Sequence, residues 1–286
     1  MLFKGALMEK LLMAVEGEKK RFTFLKDAFK QAGFDVKAIA VRELTLFTNM
    51  SGSKIKNSKL SLSKINAIYL ETPLKLTQFV EPLLDEIERR GIYCQVKKNS
   101  YYIGSNELLQ LSVLNEYNIK IPRTTILGNV EQIKAVAEKF SYPVLLKLYS
   151  KGEKIQSFIA NDEKMLASLA ERVQADNAII RDYIAGEVDH CAVIGDKVYN
   201  LKRMVKEDGS LQPLKKALPS KLSKAEEETA IQAASVCSCD IATVKMCKGF
   251  VLKVKPYVNM TVFTKKTGEN IFEEVAALFK EKVSGA

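Results

Sequence analysis

Apolar runs and helical periodicities alternate along the first third of the chain. Residues 11–15 form a continuous apolar run next to charged positions, which predicts a buried strand. Apolar residues then recur at helical spacing over 22–32, and Gly33 ends that helix. A strand follows at 36–41, and this strand–helix–strand order favours a parallel sheet. The same patterns predict strands at 65–71 and 92–96, a helix at 79–90, and an exposed loop or hairpin at 51–63.

A change of pattern at residues 99–106 suggests a domain boundary. This stretch is polar, aromatic and uncharged, which indicates a linker. The predicted fold is α/β, with a small N-terminal α/β domain at 1–98 and an α+β domain at 99–286; residues 1–8 are interpreted as an extension or a misassigned start. Beyond the linker, helices are predicted at 107–116, 130–140, 165–173, 222–237 and 271–283, and strands at 124–127, 144–149, 155–160, 178–184, 191–194, 197–205, 241–246 and 250–254.

The composition is that of a globular protein with an excess of positive charge. Its 286 residues include 44 Lys and Arg against 34 Asp and Glu, a formal net charge of +10, and 47% are hydrophobic. This apolar fraction supports a buried core and excludes wholesale disorder. The positive charge favours acidic partners, and it leaves nucleic acid open as a partner.

Several function classes are disfavoured by what the sequence lacks. The longest run without Asp, Glu, Lys or Arg, 229–239, is too short to span a membrane, so no membrane partner is expected. The 5 cysteines do not form a disulfide pattern, which predicts a cytoplasmic protein. His190 is the only histidine, which argues against a His-rich metal centre and a Ser-His-Asp triad. A strand histidine with a hydrogen-bond partner is the favoured interpretation of His190, and buried thiols that of Cys237, Cys239 and Cys247.

Five short motifs after residue 105 occur in an order that resembles the RimK-type ATP-grasp ligases. They begin with an Ile-Pro-x-Thr strand that follows a helix and end with a Thr-Gly-x-Asn-Ile motif that opens the last helix. The motifs are Ile121-Pro-Arg-Thr124, Tyr142-Pro-Val-Leu-Leu-Lys147, Ile180-Arg-Asp-Tyr-Ile184, Val193-Ile-Gly-Asp-Lys-Val198 and Thr267-Gly-Glu-Asn-Ile271.

This resemblance implies that ATP is held between two α+β subdomains, a lid at about 120–184 and a C-terminal part at about 185–286. It implies carboxylate–amine ligation through an acyl phosphate. Lys147 would contact the nucleotide phosphates, because it ends the motif that carries one of the family's two phosphate-binding lysines. The resemblance also assigns Asp182, Tyr183 and Ile184 to the adenine-binding hinge and Asp189 to the neighbourhood of the ribose.

Three parts of the implied site depart from the family pattern. The first phosphate-binding lysine is absent near Glu107, and the glycine-rich loop has Gly152 as its only glycine. The strand positions that hold magnesium ligands in the family are occupied by lysines, so magnesium is not expected at the usual site. Those lysines are Lys245, Lys253 and Lys255, which the resemblance places in one cleft near Lys147, while Lys215 and Lys216 keep the basic character of the phosphate-binding segment at 212–216.

Two interpretations of the three strand lysines remain open, a solvated face and an inverted metal site in which ammonium charge replaces magnesium charge. The leading functional hypothesis is a diverged, catalytically inactive RimK-like protein whose basic cleft binds a nucleotide or an acidic peptide. The first alternative is an active ligase that adds an amino acid to a small molecule or a protein tail. The second is a basic interaction module for RNA or a partner enzyme. A homo-oligomer or a complex with an active ATP-grasp paralogue is the expected assembly.

Overall fold

The architecture is taken from a computed structural model that describes residues 8–16, 22–49, 52–57, 60–61, 64–71, 77–149, 156–172, 175–205 and 210–285. Its first part is a parallel sheet with helices, next to a small antiparallel sheet. The elements are β1 (Glu9–Val15), α1 (Thr23–Gln31), β2 (Phe34–Ala40), β3 (Thr45–Asn49), β4 (Gly52–Asn57), β5 (Leu60–Ser61), β6 (Ala67–Glu71), α2 (Thr77–Arg89), β7 (Tyr93–Cys94) and α3 (Lys98–Ser105). The parallel sheet has the order β2-β1-β6-β7, and β3, β4 and β5 form the antiparallel one.

The apolar run of β1 is buried on both faces of its sheet. Leu11 and Met13 belong to one hydrophobic cluster, and Leu12 and Ala14 to another on the opposite face. A strand covered on both faces has no polar alternation, which explains the continuous apolar run.

A second antiparallel sheet, the lid sheet, follows in the order β10-β9-β11-β8. Val144 and Leu146 of β9 enter its core. Because side chains alternate along a strand, Lys147 lies on the other face of the lid sheet, where its side chain contacts Glu107 of α4. The elements of this part are α4 (Glu107–Glu116), β8 (Thr124–Leu127), α5 (Ile133–Val136), β9 (Val144–Tyr149), β10 (Gln156–Ala160), α6 (Glu163–Arg172) and β11 (Asn177–Asp182).

The last part contains a sheet in the order β14-β13-β12-β15-β16, the central sheet. One face packs on α7 through residues such as Cys191 and Met246, and part of the other face packs on α8 and α9 through Ala192 and Leu201. The elements are β12 (Val188–Ile194), β13 (Lys197–Arg203), β14 (Leu218–Pro219), α7 (Lys224–Val236), β15 (Ile241–Cys247), β16 (Phe250–Lys255), α8 (Met260–Thr267) and α9 (Ile271–Ser284).

Helix α9 completes the core of the N-terminal sheet. The Phe279 ring centroid lies 5.0 Å from that of Phe29 and 4.9 Å from that of Tyr93. Lys280 Nζ lies 2.7 Å from Glu9 Oε2 of β1. The hydrophobic cluster around Leu11 therefore contains residues from both the N-terminal sheet and the last helix.

Three local predictions differ from the structure. The stretch at 99–106, predicted as a linker, is mostly helix α3, because Tyr101 and Ile103 are buried and supply an apolar face without any charged residue. The helix predicted at 130–140 is broken into 3₁₀ turns around the short α5. Helix α8, which anchors Phe263 in the core, was not predicted. No helix in the described ranges is long and apolar enough to cross a membrane.

Candidate functional site

Glu107 lies between the lid sheet and the central sheet and contacts cations from both. Its carboxylate pairs with Lys147 of β9. Arg181 Nη1 of β11 lies 3.7 Å from Glu107 Oε1, and Lys253 Nζ of β16 lies 3.6 Å from Glu107 Oε2. Asn106 positions the carboxylate, because its side chain caps α4 by accepting hydrogen bonds from the N–H groups of Leu108 and Leu109. We call Glu107, Lys147, Arg181 and Lys253 the Glu107 cluster.

The Glu107 cluster is an ionised network with little solvent access. The Glu107 side chain is 8% exposed and that of Lys147 is 14% exposed. Burial opposes ionisation of Glu107, but Lys147, Lys253 and Arg181 outweigh burial and hold its pKa below the usual range. Burial lowers the pKa of Lys147, and the Glu107 carboxylate acts in the opposite direction. The Lys147 side chain is therefore mostly buried and is paired with a carboxylate.

A second group of cations lies on the central sheet, on the face that turns toward the lid sheet. Lys245 pairs across the strands with His190 of β12 and Lys253 of β16, so the three side chains share one face. The same register places Arg203 opposite Val188, and Lys255 opposite Thr243. We call this surface the lysine face; it carries His190, Arg203, Lys245, Lys253 and Lys255.

The charges on the lysine face are close enough to perturb one another. Burial lowers the pKa of Lys245 to about 8, and the positive charges of Lys255, Arg203, Lys253 and Lys147 add to this effect. The structure thus brings together the three strand lysines and Lys147 that the sequence singled out. The two arginines of this region, Arg181 and Arg203, were not identified as site residues from the sequence.

His190 differs from its predicted state. Its Nδ1 atom is buried and has no hydrogen-bond partner among the described residues. Its ring stacks on Phe263 with the centroids 6.1 Å apart. Burial lowers the pKa of His190 to about 3, and Lys245, Arg203 and Lys255 contribute to the decrease, so the imidazole is neutral. The predicted hydrogen-bond partner is therefore absent at Nδ1 within the described ranges.

The hinge residues line a cavity of about 500 Å³ between the two sheets. Asp182, Tyr183 and Ile184 form part of its wall, with Arg181 and the apolar Leu252 nearby. Leu252 lies at an irregularity in the β15–β16 pairing, where the register shifts. An apolar wall beside hinge backbone groups suits a flat, partly polar ring.

Hydrogen bonds within the chain already involve part of the hinge. The N–H of Asp182 donates to the Arg123 carbonyl at 2.9 Å, and that of Tyr183 donates to the Pro143 carbonyl at 3.2 Å. The Asp182 carboxylate pairs with Arg123 at 3.2 Å. Adenine recognition by these two N–H groups would require their present hydrogen bonds to break.

The three remaining predicted site residues belong neither to the cavity wall nor to the Glu107 cluster or the lysine face. Asp189 lies on the opposite face of β12 from His190, where it accepts a hydrogen bond from Asn200 Nδ2 at 2.7 Å. Lys215 and Lys216 form an exposed 3₁₀ turn. Their assignment to ribose and anion binding remains a prediction.

The donor atoms on the lysine face do not fit a magnesium ion. Magnesium binds through oxygen atoms, and Lys245, Lys253 and Lys255 offer only ammonium groups. In the part of the chain that the structure describes, no three His, Cys, Asp or Glu side chains are grouped so that they could hold a metal ion. All five cysteines, at 94, 191, 237, 239 and 247, are buried free thiols.

Glu107 is the central residue that sequence reasoning missed. The sequence shows only a carboxylate near the position where the family has its first phosphate-binding lysine. That reversal of charge was a usable signal, because an acidic residue there would meet Lys147 in the same cleft.

Comparisons with known proteins agree with this architecture. A family model described as a RimK-like ATP-grasp domain matches residues 104–279. A Cellvibrio japonicus protein named "Probable alpha-L-glutamate ligase" is 24% identical, and the match covers 90% of each chain.

Solved structures of ligases share the fold. A Chryseobacterium gregarium RiPP-associated ATP-grasp ligase, in complex with ADP and a leader and core peptide, has a TM-score of 0.73 at 16% identity, over 96% of this chain and 97% of that one. The macrocyclase MdnC of Microcystis aeruginosa, bound with precursor peptide MdnA, has a TM-score of 0.70 at 14% identity, over 95% and 99%. With its parallel N-terminal sheet, lid sheet and central sheet, and with the family model matching well over half of its length, this chain belongs to the RimK-like ATP-grasp family.

Proposed function

We propose that this protein is a diverged ATP-grasp protein that binds an anionic ligand, a nucleotide or an acidic peptide, in a basic cleft without magnesium. The observation that carries the proposal is the convergence of cations from two sheets. Lys147 and Arg181 come from the lid sheet, and four more cations come from the lysine face. Among the described residues, Glu107 is the carboxylate that pairs with this group.

In this proposal the positive charge on the lysine face neutralises part of the negative charge of a polyphosphate, as a metal ion would. Ammonium and guanidinium groups form short, charge-assisted hydrogen bonds to phosphate and carboxylate oxygens. These interactions are strong in a partly buried cleft because the effective dielectric constant there is lower than in water. The hinge cavity, with Tyr183 and Ile184 in its wall, supports a nucleotide base as one end of the ligand. In this proposal Asp182 also belongs to the base-binding end.

Loss of catalysis follows from the same substitutions. Metal-assisted phosphoryl transfer relies on ions that bridge phosphate oxygens and are held by carboxylate and amide ligands. Lysines at those strand positions can neutralise a bound anion, but they cannot hold the ion. We therefore expect no magnesium-dependent ligation.

A calorimetric titration of ATP, first in EDTA and then in excess magnesium, tests the proposal. We expect binding in EDTA and weaker binding in magnesium, because the metal screens the ligand and gains no ligands from the lysine face. Replacing Lys253→Glu together with Lys255→Asn should weaken binding in EDTA. The matched control is Lys164→Glu with Lys224→Asn, which makes the same charge change at two exposed positions. Tighter binding in magnesium would refute the proposal.

The second candidate is an active ATP-dependent ligase that adds an amino acid to a carboxylate of a small molecule or a protein tail. It is favoured by the match, over 90% of each chain, to the protein named "Probable alpha-L-glutamate ligase". The complexes of the solved ligases with precursor, leader and core peptides favour a peptide as the acceptor. Incubation with ATP, magnesium, glutamate and an oligoglutamate acceptor, read out by phosphate release and product mass, decides between the two. Turnover that is abolished by Lys147→Met would establish the ligase.

A further inference from the structure

The cations of the cleft differ in whether a carboxylate of the chain contacts them. Lys147, Arg181 and Lys253 share the Glu107 carboxylate. An added anion at these three groups would meet a negative charge that already occupies some of their contacts. Like charges at short range repel, so the Glu107 cluster, with three cations and one carboxylate, attracts a further anion less than three cations without a carboxylate do.

Two of the other three cations of the lysine face have neutral partners. Arg203 donates from Nε to the Gln212 carbonyl at 2.8 Å. Lys255 Nζ lies 3.1 Å from the Tyr257 hydroxyl. Within the described ranges, neither of them nor Lys245 forms an ion pair with a carboxylate, in contrast to the three cations around Glu107. Among the residues that the structure describes, this half of the cleft therefore carries positive charge without a carboxylate partner.

A buried polar atom without a partner marks the same place. His190 is 8% exposed, and its Nδ1 atom has no hydrogen-bond partner among the described residues. The strand register places Lys245 directly opposite His190, and the positive charges of Lys245, Arg203 and Lys255 all lower the pKa of His190. Buried polar atoms are almost always hydrogen-bonded in folded proteins, so an orphaned one indicates a position that a bound group completes.

We propose that Lys245, Lys255 and Arg203 form an oxyanion subsite beside His190, which takes a phosphate or carboxylate group of the ligand. This inference rests on the proposed anion binding, and it adds that the Glu107 cluster is not where the anion binds. The neutral imidazole is compatible with an anion in the tautomer that carries its proton on Nδ1, because Nδ1–H then donates to the ligand. The ligand is thus a molecule with at least one compact phosphate or carboxylate group.

The state of Lys245 gives the subsite a signature in solution. Its lowered pKa of about 8 means that part of the population is neutral in the empty protein near pH 8. A bound oxyanion favours the ammonium form, so binding should draw a proton from the buffer. Titration calorimetry in two buffers with different enthalpies of ionisation measures this uptake directly.

The test compares two variants that each remove two positive charges. Inorganic pyrophosphate, ADP and an oligoglutamate are titrated in EDTA into the full chain. We expect Lys245→Met with Lys255→Met to weaken pyrophosphate binding at least tenfold and to abolish proton uptake. We expect Lys147→Met with Lys253→Met to weaken it less than threefold. The three probes distinguish a phosphate source from a carboxylate source of the anion.

The outcomes separate this inference from the proposed function. If pyrophosphate or ADP binds and the loss follows Lys147→Met with Lys253→Met instead, anion binding stands and the subsite is wrong. If none of the three probes binds the wild-type protein, both proposals fail. A circular dichroism melt of each variant confirms folding, and a pair at exposed positions, Lys164→Met with Lys224→Met, controls for long-range charge.

Discussion

Replacing Lys245→Met should stabilise the protein, although it removes a group that we assign to ligand binding. The penalty for holding this ammonium group in the folded state comes first from burial and then from the nearby positive charges. A methionine of similar length fills the same volume without charge. The substitution therefore removes the unfavourable free energy of holding a buried ammonium group among other positive charges on the lysine face.

The size and the pH dependence of the effect follow from the pKa of Lys245, which falls from 10.5 to about 8. At about 1.4 kcal/mol per pKa unit the penalty is on the order of 3 kcal/mol, and the solvent that reaches the side chain reduces it to about 2–3 kcal/mol. Below pH 8 the folded and unfolded chains both carry the proton, so the penalty is present in full. As the pH rises from 8 to 10.5 the unfolded chain alone binds the proton, and the penalty disappears.

Urea unfolding at pH 7 and pH 9.5 measures the change. We expect Lys245→Met to raise the free energy of unfolding by about 2–3 kcal/mol at pH 7 and by about 1 kcal/mol at pH 9.5. Lys164→Met, at an exposed position of α6, should stay within about 0.5 kcal/mol of the wild-type protein at both values. A loss of stability at pH 7, or a gain that does not shrink with pH, would refute the burial and charge argument.

Three further predictions concern the cleft and its support. Glu107→Gln should lower the free energy of unfolding by about 3 kcal/mol near pH 7 in a urea titration, because buried cations lose their carboxylate. The difference from the wild-type protein should vanish as the pH falls below 4.5 and through the lowered pKa of Glu107. Pyrophosphate affinity should fall about tenfold between pH 7 and pH 9 as Lys245 loses its proton, and calorimetry that shows a flat profile would contradict this. Gln110→Ala should lower the free energy of unfolding by about 2–3 kcal/mol in thermal or urea unfolding, because the buried amide forms two hydrogen bonds of 2.8 Å with the Val254 backbone. The control, Glu116→Ala at the exposed end of the same helix, should leave the free energy of unfolding nearly unchanged.

Local pattern predicted much of the fold and one part of the site. The strands at 11–15 and 144–149 follow from local apolar pattern, and the structure has them. Lys253 and Lys255 lie two positions apart on one strand, so strand periodicity gives them a common face. The register between strands is not contained in any single strand, so the pairing of Lys245 with Lys253 and His190 became visible only in the structure. The family resemblance had placed Lys245 in the same cleft.

Long-range pairing explains what the sequence did not reveal. Glu107 and Lys147 are 40 positions apart, and nothing between them signals an ion pair. Helix α3 was interpreted as a linker because residues 99–106 are polar, aromatic and uncharged, and the burial of Tyr101 and Ile103 depends on contacts with distant parts of the chain. The stacking of His190 on Phe263 could not be predicted either, because α8 itself was not predicted.

The packing of α9 against the first sheet has a consequence for biosynthesis. Phe29, Tyr69 and Tyr93 pack around Phe279, which the ribosome adds 186 to 250 residues after them. Domains tend to fold as they are synthesised, but the apolar face of this sheet has no cover until α9 has been made. The emerging sheet therefore exposes that face to solvent until then. Contacts between such distant positions also slow the search for the native state. A nascent chain stalled before residue 271 should be more sensitive to protease across β1 and α1 than a chain stalled on a linker after residue 286.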